Sequence, residues 1–591
     1  MLVYTRGINP KNELMNKKYL GIDIGGTLIK GALVDEKSFI QGKFDKSKNF
    51  EIKKIKSPLH ENARPNELIE ALKELITCFG ANNEEIGGIG ISTGGIVNYQ
   101  GTRVLKAAAH LNVLKTDVWQ TELEKHLQCS TIVINDADAA ALGVAESGLL
   151  KGNKAVGIMP IGTGLGFTVW RNGRRWRPGK MLNLLGSVRT PSGFYDGIAS
   201  ASKLASEDSE NNLIEVLSQD AHKKAREEYL NNLVKIINTA AIIYNLDEVM
   251  ICGGLADADS TCGFNLESKL NSRLAEKQVE LDKVIKASVL KEGNKLQLIG
   301  AVSLAKGESV ARAQQRLKKY KAIPTEIPYQ KDLQLQNLST SEIVKILWKA
   351  EQEAGEWLEK SFPFMEHAID EISDRVKKGG RLIYVGSGTS GRIAAMDAVE
   401  IPCTYGFPED KILCLIAGGI ADAAIEIESD FEEDASSVPE MLLMNIKPED
   451  TVIGISASGT AYYVQSALAL AKERGAYSVM IQSEEPQTEL PFCNTVIPLN
   501  TGYEVVAGST RMKAGTATKK ILNFISSSVM IKMGKVAGSY MIDVACINNK
   551  LIERAQSILG ILYQMDKKEA LLHLKKADMD LGKVIKKIQS K

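Results

Sequence analysis

The chain has 591 residues, of which 44% are hydrophobic and 25% are charged, and its formal net charge is +1. At about 100–200 residues per domain, this length predicts several domains, each long enough to bury its own core. The near-zero net charge gives no electrostatic case for binding to nucleic acid or to a membrane surface.

The N-terminal residues and the cysteines indicate where the protein works. The first residues lack the apolar core of a secretory signal, and no run of about 18 apolar residues predicts a membrane span. The eight cysteines are scattered and form no C-x-x-C pair, which is typical of reduced thiols. We therefore expect a cytoplasmic protein, and neither the cysteines nor the six histidines form a visible metal cluster.

The N-terminal half alternates short β-rich runs with Gly/Thr turns and then with helical stretches, which predicts an α/β fold. Four apolar strands end in turns whose residues could bind phosphate or take part in catalysis. These turns are 23–27 (DIGGT), 134–143 (INDADAAALG), 162–166 (GTGLG) and 252–256 (CGGLA). Glycine lets backbone N–H groups approach a phosphate, and threonine adds a donor. A strand-end aspartate can hold hydrated magnesium or act as a base. For the turn 23–27 taken alone, a plain hairpin remains the alternative.

Four such turns in this order resemble the ROK sugar kinases of the actin-like ATPase superfamily, over about residues 18–310. The resemblance implies a two-lobed fold that uses ATP, with magnesium near Asp23. Asp136 would deprotonate the sugar hydroxyl that attacks the γ-phosphate, and Asn135 would also contact the sugar. The implied nucleotide- and phosphate-binding residues are Asp23, Gly25, Gly26, Thr27, Gly162, Thr163, Gly164, Gly253 and Gly254.

The sugar-binding region departs from this family. Many members carry a Glu-x-Gly-His clamp followed by a Cys-rich zinc motif, whereas this chain reads MLNLLGSVRTPSGFYDG. We therefore expect no structural zinc, and sugar contacts that differ from those of glucose-type members. Arg189 or Lys180 could meet a sugar carboxylate, although unrelated surface charges are the simpler interpretation.

A shift in composition separates the two halves. Residues 313–337 are rich in Lys, Gln and isolated Pro, and from Ser339 the pattern becomes helical. The end of the chain looks like a small helical bundle. We predict a kinase-like domain, a linker with a lead-in, a second α/β domain and a helical tail, with bounds 1–312, 313–338, 339–547 and 548–591.

The second half contains one element twice: a strand, a Gly/Ser/Thr loop and a helix. The first loop is 386–391 (GSGTSG) and the second is 456–460 (SASGT). By pattern the first loop matches a dinucleotide fingerprint, but the next strand ends in Ala417 and Gly418 without the acid that the ribose needs. Two hydroxyl-rich loops at the ends of parallel strands favour a phosphate ligand instead.

The longest strings here, RLIYVGSGTSGRIAAMDAVEIPCTYG and EVVAGSTRMKAGTATKKILN, closely resemble the N-acetylmuramic acid 6-phosphate etherase family. That family has the sugar-isomerase (SIS) fold, a doubly wound parallel sheet, and needs no cofactor. The resemblance covers residues 325–591. It implies that the phosphosugar is bound by Ser387, Thr389, Ser390, Ser456, Ser458, Gly459, Thr460, Glu504, Ser509, Arg511 and Lys513.

The resemblance also implies two catalytic carboxylates. Glu400, in the string DAVE, would protonate the departing ether oxygen. A second carboxylate would remove the C2 proton, and we place it at Glu432 in IEIESDFEED, with Glu428 and Glu433 as alternatives. Eliminating an ether beside an activated C–H requires such an acid and base pair.

The family usually has an arginine where Thr460 stands in this chain, which puts the substrate in doubt more than the fold. We predict an etherase fused to a kinase that phosphorylates N-acetylmuramic acid at O6, acting on small sugars and pairing as a homodimer through its SIS domains. One alternative is an etherase whose kinase domain is inactive or uses another sugar. The other is a non-catalytic phosphosugar sensor that resembles glucokinase regulatory protein.

Overall fold

A computed structural model describes most of the chain, and in this part no helix is long and apolar enough to cross a lipid bilayer. The described residues are 17–40, 43–45, 50–81, 85–98, 101–107, 109–116, 118–150, 154–176, 185–190, 193–205, 210–276, 285–314, 325, 327–330, 333–419, 436–483, 490–543 and 549–589.

The chain divides into two compact units. The N-terminal unit contains residues 1–314 together with 436–446, and the C-terminal unit contains 315–435 and 447–591. The predicted linker falls largely outside the described residues, whereas Thr325 is buried and its carbonyl oxygen accepts a hydrogen bond from Gly508 N at 2.7 Å. The lead-in to the second half is thus part of the C-terminal unit.

The N-terminal unit is built on two five-stranded sheets with the same plan. Each sheet joins an antiparallel three-stranded meander to two parallel strands, in the orders β5-β2-β1-β6-β9 and β12-β11-β10-β15-β16. The strands are β1 Lys18–Ile24, β2 Leu28–Asp35, β3 Phe39–Ile40, β4 Lys43–Phe44, β5 Ile52–Lys56, β6 Ile86–Thr93, β7 Ile96–Val97, β8 Val104–Lys106, β9 Thr131–Asn135, β10 Val156–Pro160, β11 Thr168–Arg171, β12 Arg174–Trp176, β13 Arg189–Thr190, β14 Gly193–Phe194, β15 Glu248–Cys252 and β16 Lys286–Val289.

Two helices, α3 and α10, pack backbone to backbone in this unit. A Cβ on Gly143 of α3 would lie 1.8 Å from the Leu296 carbonyl oxygen, and one on Gly300 of α10 would lie 2.1 Å from that of Ala139. Only glycine fits at either contact, which fixes α3 firmly. The helices are α1 Pro65–Thr77, α2 Val118–Leu127, α3 Asp136–Glu146, α4 Tyr195–Ala199, α5 Ala201–Leu204, α6 Glu210–Ser218, α7 Lys223–Tyr244, α8 Gly254–Cys262, α9 Leu266–Glu276 and α10 Gly293–Gln314.

The C-terminal unit contains a fully parallel sheet in the order β18-β17-β19-β20-β21. Its central strands are buried along their whole length, as expected for a parallel sheet covered by helices on both faces. The strands are β17 Leu382–Gly386, β18 Ile412–Ile416, β19 Thr451–Ile455, β20 Tyr477–Gln482, β21 Thr495–Pro498, β22 Val536–Ala537 and β23 Tyr540–Met541.

Helices in the second half begin where the sequence offers caps. Ser339 and Glu342 form a reciprocal capping box at the start of α11, as the Ser339 position predicted. The last three helices surround their own apolar cluster, which agrees with the predicted helical tail. The helices are α11 Thr340–Trp357, α12 Phe362–Lys377, α13 Gly388–Tyr405, α14 Val438–Leu443, α15 Tyr462–Glu473, α16 Lys513–Lys532, α17 Asn549–Tyr563, α18 Lys567–Lys575 and α19 Leu581–Gln589.

One of these helices, α14, belongs to the N-terminal unit although its sequence lies in the second half. Val438 and Met441 are fully buried, and α14 packs on α10 and α3. Ser436 Oγ donates a 2.6 Å hydrogen bond to Glu308, a buried residue of α10 that also pairs with Arg312 at 2.7 Å. Residues 436–446 therefore complete the surface of the N-terminal unit.

The predicted fold class is confirmed. The described part of the chain is α/β, with two five-stranded sheets in the N-terminal unit and a parallel five-stranded sheet in the C-terminal unit. In both units, turns that are far apart in the sequence lie together at the edge of a sheet. They do so because parallel strands of one sheet end on the same side.

Candidate active sites

The predicted nucleotide and sugar residues of the N-terminal half line one cleft of about 710 Å³, here called the N-terminal cleft. All four strand-end turns reach it, from both sheets of the unit. Its predicted lining residues are Asp23, Gly25, Gly26, Thr27, Asn135, Asp136, Gly162, Thr163, Gly164, Gly253 and Gly254.

Asp136 is the first residue of α3, and Asn135 caps that helix through its side-chain oxygen. Asp136 Oδ1 accepts hydrogen bonds from Ala137 N at 2.8 Å and from Asn135 Nδ2 at 3.0 Å. Burial, with a smaller effect from the nearby Asp23 carboxylate, raises the pKa of Asp136 to about 7. A carboxylate with this pKa can accept a proton near neutral pH.

Asp23 lies in a row of side chains that crosses the N-terminal sheet. The strand register places Lys54 opposite Lys30, Lys30 opposite Asp23, and Asp23 opposite Ser92, on four neighbouring strands. Ser92 Oγ donates to Asp23 Oδ1 at 2.8 Å. Burial raises the pKa of Asp23, and Lys30 offsets only part of that effect. A further cation would stabilise this buried carboxylate, so the donor set fits hydrated magnesium.

Sequence reasoning missed several polar residues of this cleft. Asp257, on the first turn of α8, accepts from Gly293 N at 2.6 Å and also binds Asn294, which in turn accepts from Lys30 Nζ at 2.8 Å. Asp196 accepts from Leu165 N at 2.5 Å and so holds the 162–166 turn. Asp257 lies three residues after Gly254, a spacing that could have indicated a helix-start acid. No short-range signal marks Asp196.

In the C-terminal unit, the first and second loops follow neighbouring strands, since Gly386 of β17 lies opposite Ile455 of β19. Ser387 precedes α13, and Ser456 is buried at the end of β19. Ser458 and Thr460 share a 2.7 Å hydroxyl hydrogen bond. The loops thus bring six predicted hydroxyl side chains to one edge of the sheet, with Thr389 and Ser390 on the first turn of α13.

Gly459 is required by the shape of the second loop. Its φ is 72°, and a Cβ there would lie 2.4 Å from Gln482 Oε1. Ser483 continues β20, and its N–H donates to Ala457 O at 2.9 Å. Among the described residues, the buried Ser483 and Thr501 hydroxyls find no hydrogen-bond partner. These two hydroxyls, which sequence reasoning missed, are candidates for contact with a ligand of the second loop.

Glu504 and Lys513 meet at the start of α16. The fully buried Glu504 carboxylate accepts from Lys513 N at 3.1 Å and Ala514 N at 2.9 Å. Burial raises the pKa of Glu504 and lowers that of Lys513. Lys513 Nζ lies 5.2 Å from the Tyr329 ring centroid. Of the other two predicted residues, Ser509 is half-buried and Arg511 is exposed.

The structure does not bring Glu400 to the two loops within one chain. Glu400 is exposed on α13, twelve residues beyond Gly388, which corresponds to about 18 Å along a helix. Asp397 of the same string is buried, accepting from Tyr384 OH at 2.9 Å and Lys519 Nζ at 3.0 Å. The predicted second carboxylate, Glu432, and its alternatives Glu428 and Glu433 lie outside the described residues.

Comparisons with known proteins define the class of each half. Residues 19–181 match the ROK family, and residues 365–472 match the glucokinase regulatory protein N-terminal SIS domain. The chain thus joins a ROK family domain to a SIS domain.

An N-acetylmuramic acid 6-phosphate etherase from Clostridium beijerinckii is 39% identical over 271 residues, covering 46% of this chain and 89% of the relative. One from Prochlorococcus marinus is 44% identical over 248 residues, covering 42% and 79%. Through its C-terminal half, the chain belongs to the N-acetylmuramic acid 6-phosphate etherase family.

Two of the solved structures that the N-terminal half resembles are ROK proteins. A ROK family glucokinase from Streptomyces griseus, in complex with glucose and AMPPNP, is 20% identical, covers 49% of this chain and 99% of its own, and gives a TM-score of 0.38. A ROK hexokinase from Thermus thermophilus is 17% identical, covers 49% and 98%, and gives a TM-score of 0.34.

Proposed function

We propose that the chain is a bifunctional enzyme of cell-wall amino sugar breakdown. The N-terminal domain phosphorylates N-acetylmuramic acid at O6 with Mg-ATP. The C-terminal domain cleaves the lactyl ether of the product, giving D-lactate and N-acetylglucosamine 6-phosphate. The observation that carries the lyase half is the pair of hydroxyl-lined loops on neighbouring strands, within a sequence up to 44% identical to named etherases.

The phosphoryl transfer depends chiefly on positioning and charge neutralisation. Asp136 accepts the proton of the sugar hydroxyl, and the oxygen of that hydroxyl attacks the γ-phosphorus of ATP. The glycine turns at 25–27 and 162–164 bind the phosphates, and Asp23 would hold the hydrated magnesium. Bound magnesium supplies the positive charge that neutralises the phosphate oxygens.

The ether cleavage needs an acid and a base on a bound phosphosugar. The two loops bind the 6-phosphate, a carboxylate of the acidic segment removes the C2 proton, and Glu400 protonates the departing lactyl oxygen. Water then adds across the resulting C2–C3 double bond. Glu432 is the proposed base.

We propose that a second copy of the chain delivers Glu400 to the loops. Glu400 shares an exposed apolar stripe of α13 with Met396 and Val399, which are 47% and 68% exposed. Tyr405 OH contacts Ser527 Oγ at 3.1 Å and joins this stripe to α16, where Phe524 and Ile531 are exposed. An exposed apolar surface of this kind is typical of a self-complementary interface.

A one-pot assay tests the proposed function. Unphosphorylated N-acetylmuramic acid, ATP and magnesium are incubated with the protein, and both ADP and D-lactate are measured. We expect both products, and lactate alone when N-acetylmuramic acid 6-phosphate is supplied directly. Absence of ADP would remove the kinase assignment. Absence of lactate from the phosphosugar would instead favour a non-catalytic sensor, which Thr460 in place of arginine would then explain.

The pKa of Asp136 predicts how phosphorylation depends on pH. Since burial raises that pKa to about 7 and only the carboxylate can accept a proton, kcat/KM should fall below this pH, approaching about tenfold per pH unit. The measurement is ADP release with subsaturating sugar across the acidic range. A rate that stays level well below pH 7 would contradict the assignment of Asp136 as the base.

A further inference from the structure

One end of the N-terminal cleft is formed by the hairpin β7–β8, directly beside the proposed base. A Cβ on Gly94 would lie 4.0 Å from Asp136 Oδ2, so the chain passes close to the carboxylate here. Asn135 Nδ2 donates to Gly95 O at 2.7 Å, and Gly95 in turn lies against the Lys106 backbone, with a Cβ position 2.4 Å from the Lys106 carbonyl oxygen. The Lys106 backbone is thus connected through Gly95 to the side chain of Asn135, the residue before Asp136.

The cleft is lined by three lysines that differ in surroundings. Lys30 and Lys54 belong to the side-chain row that contains Asp23, and Lys30 is bound to Asn294. Lys106 lies at the hairpin end with Gly94, Gly95, Ala107 and Leu111. Its side chain is exposed, and among the described residues no carboxylate pairs with it. Lys106 therefore lies outside the row that contains Asp23 and is available to pair with an anionic ligand of the cleft.

An unpaired lysine in a ligand cleft favours an anionic group on the ligand. In the proposed kinase, the phosphates of ATP are bound by the glycine turns at 25–27 and 162–164. If Asp136 is the base, the acceptor hydroxyl lies beside it, and the hairpin end adjoins that position. N-acetylmuramic acid carries one carboxylate, on the lactyl ether at O3, and N-acetylglucosamine lacks it.

We propose that Lys106 is the specificity residue of the kinase domain and binds the carboxylate of an ether-linked acid on the acceptor sugar. This inference rests on the proposed kinase function and adds the residue that distinguishes a carboxylated from a neutral amino sugar. The other hairpin-end residues that line the cleft, Gly94, Gly95, Ala107 and Leu111, are uncharged, so Lys106 is the positive charge beside Asp136 at this end.

The test compares two acceptors that differ only in the lactyl group. KM for N-acetylmuramic acid and for N-acetylglucosamine is measured by ADP release in the full chain, for the wild type, Lys106→Gln and the charge-preserving Lys106→Arg. We expect Lys106→Gln to raise KM for the carboxylated sugar by about 10–100-fold, as for loss of a charged hydrogen bond. KM for the neutral sugar should stay within about twofold. Lys106→Arg should restore most of the binding.

Lys115→Gln is the matched control, since Lys115 is exposed in the same lobe and does not line the cleft. Equal losses with both sugars would overturn the proposal, and so would a raised KM for ATP with either sugar, which would assign Lys106 to a phosphate. If the wild type phosphorylates N-acetylmuramic acid and Lys106→Gln does so with unchanged KM, only this inference fails. If the wild type does not phosphorylate N-acetylmuramic acid, the proposed kinase function fails with it.

Discussion

Asp136→Asn is expected to reduce sugar phosphorylation by about 10²–10⁴-fold, the usual contribution of a general base. The amide has the same shape and can still accept a hydrogen bond from Ala137 N, so the helix start should survive. Lactate release from N-acetylmuramic acid 6-phosphate should not change, because Asp136 belongs to the other unit. The measurements are ADP release and lactate release on the same preparation.

Asp35→Asn provides the matched control for this variant. Asp35 ends β2 in the same lobe and is exposed, so its amide should leave both rates unchanged. A variant Asp136→Asn that melts like the wild type but loses both activities would contradict two separate sites. Full phosphorylation by Asp136→Asn would exclude Asp136 as the base.

Glu400→Gln should have the opposite effect. Without its proton, the lactyl oxygen is a poor leaving group, so lactate release from the phosphosugar should fall by about 10²–10⁴-fold. ADP release with N-acetylmuramic acid should stay at the wild-type rate. Glu409→Gln, another exposed acid of the C-terminal unit, is the control and should retain both activities.

Mixing two inactive variants tests whether Glu400 acts across a dimer. Glu400→Gln subunits carry intact loops, and Ser456→Ala subunits carry an intact Glu400. If a partner supplies the acid, exchange between the two variants forms some complete sites and part of the lactate release returns. Failure to regain activity after demonstrated subunit exchange would contradict the shared site.

Sequence predicted the strand-end turns well because their chemistry is local. A strand, a glycine turn and a helix start are specified within a few residues, and parallel pairing then brings such turns together. The proximity of Gly162 to Gly253 follows from this rule, since both follow parallel strands of one sheet in which Pro160 lies opposite Cys252.

Contacts between distant segments could not be predicted in the same way. Lys106 is the exposed last residue of the three-residue strand β8, and its place in the cleft depends on the contact with Gly95. Glu400 reads as a catalytic acid by resemblance, but its distance from the loops is set by its position along α13. The sequence VPEMLL has the composition of an ordinary buried helix and carries no sign of which unit it covers.

The position of α14 has a consequence for how the two halves can be handled. A polypeptide cut at residue 314 would lack Val438, Met441 and the Ser436 hydroxyl, leaving an apolar strip of α10 in water and Glu308 without one of its partners. Helix α10 also packs closely on α3, the helix that starts at Asp136. The exposed strip of α10 would therefore weaken the support of the proposed base. The two halves therefore cannot be separated by a single cut between them. An isolated N-terminal unit needs the eleven residues 436–446 as well as residues 1–314.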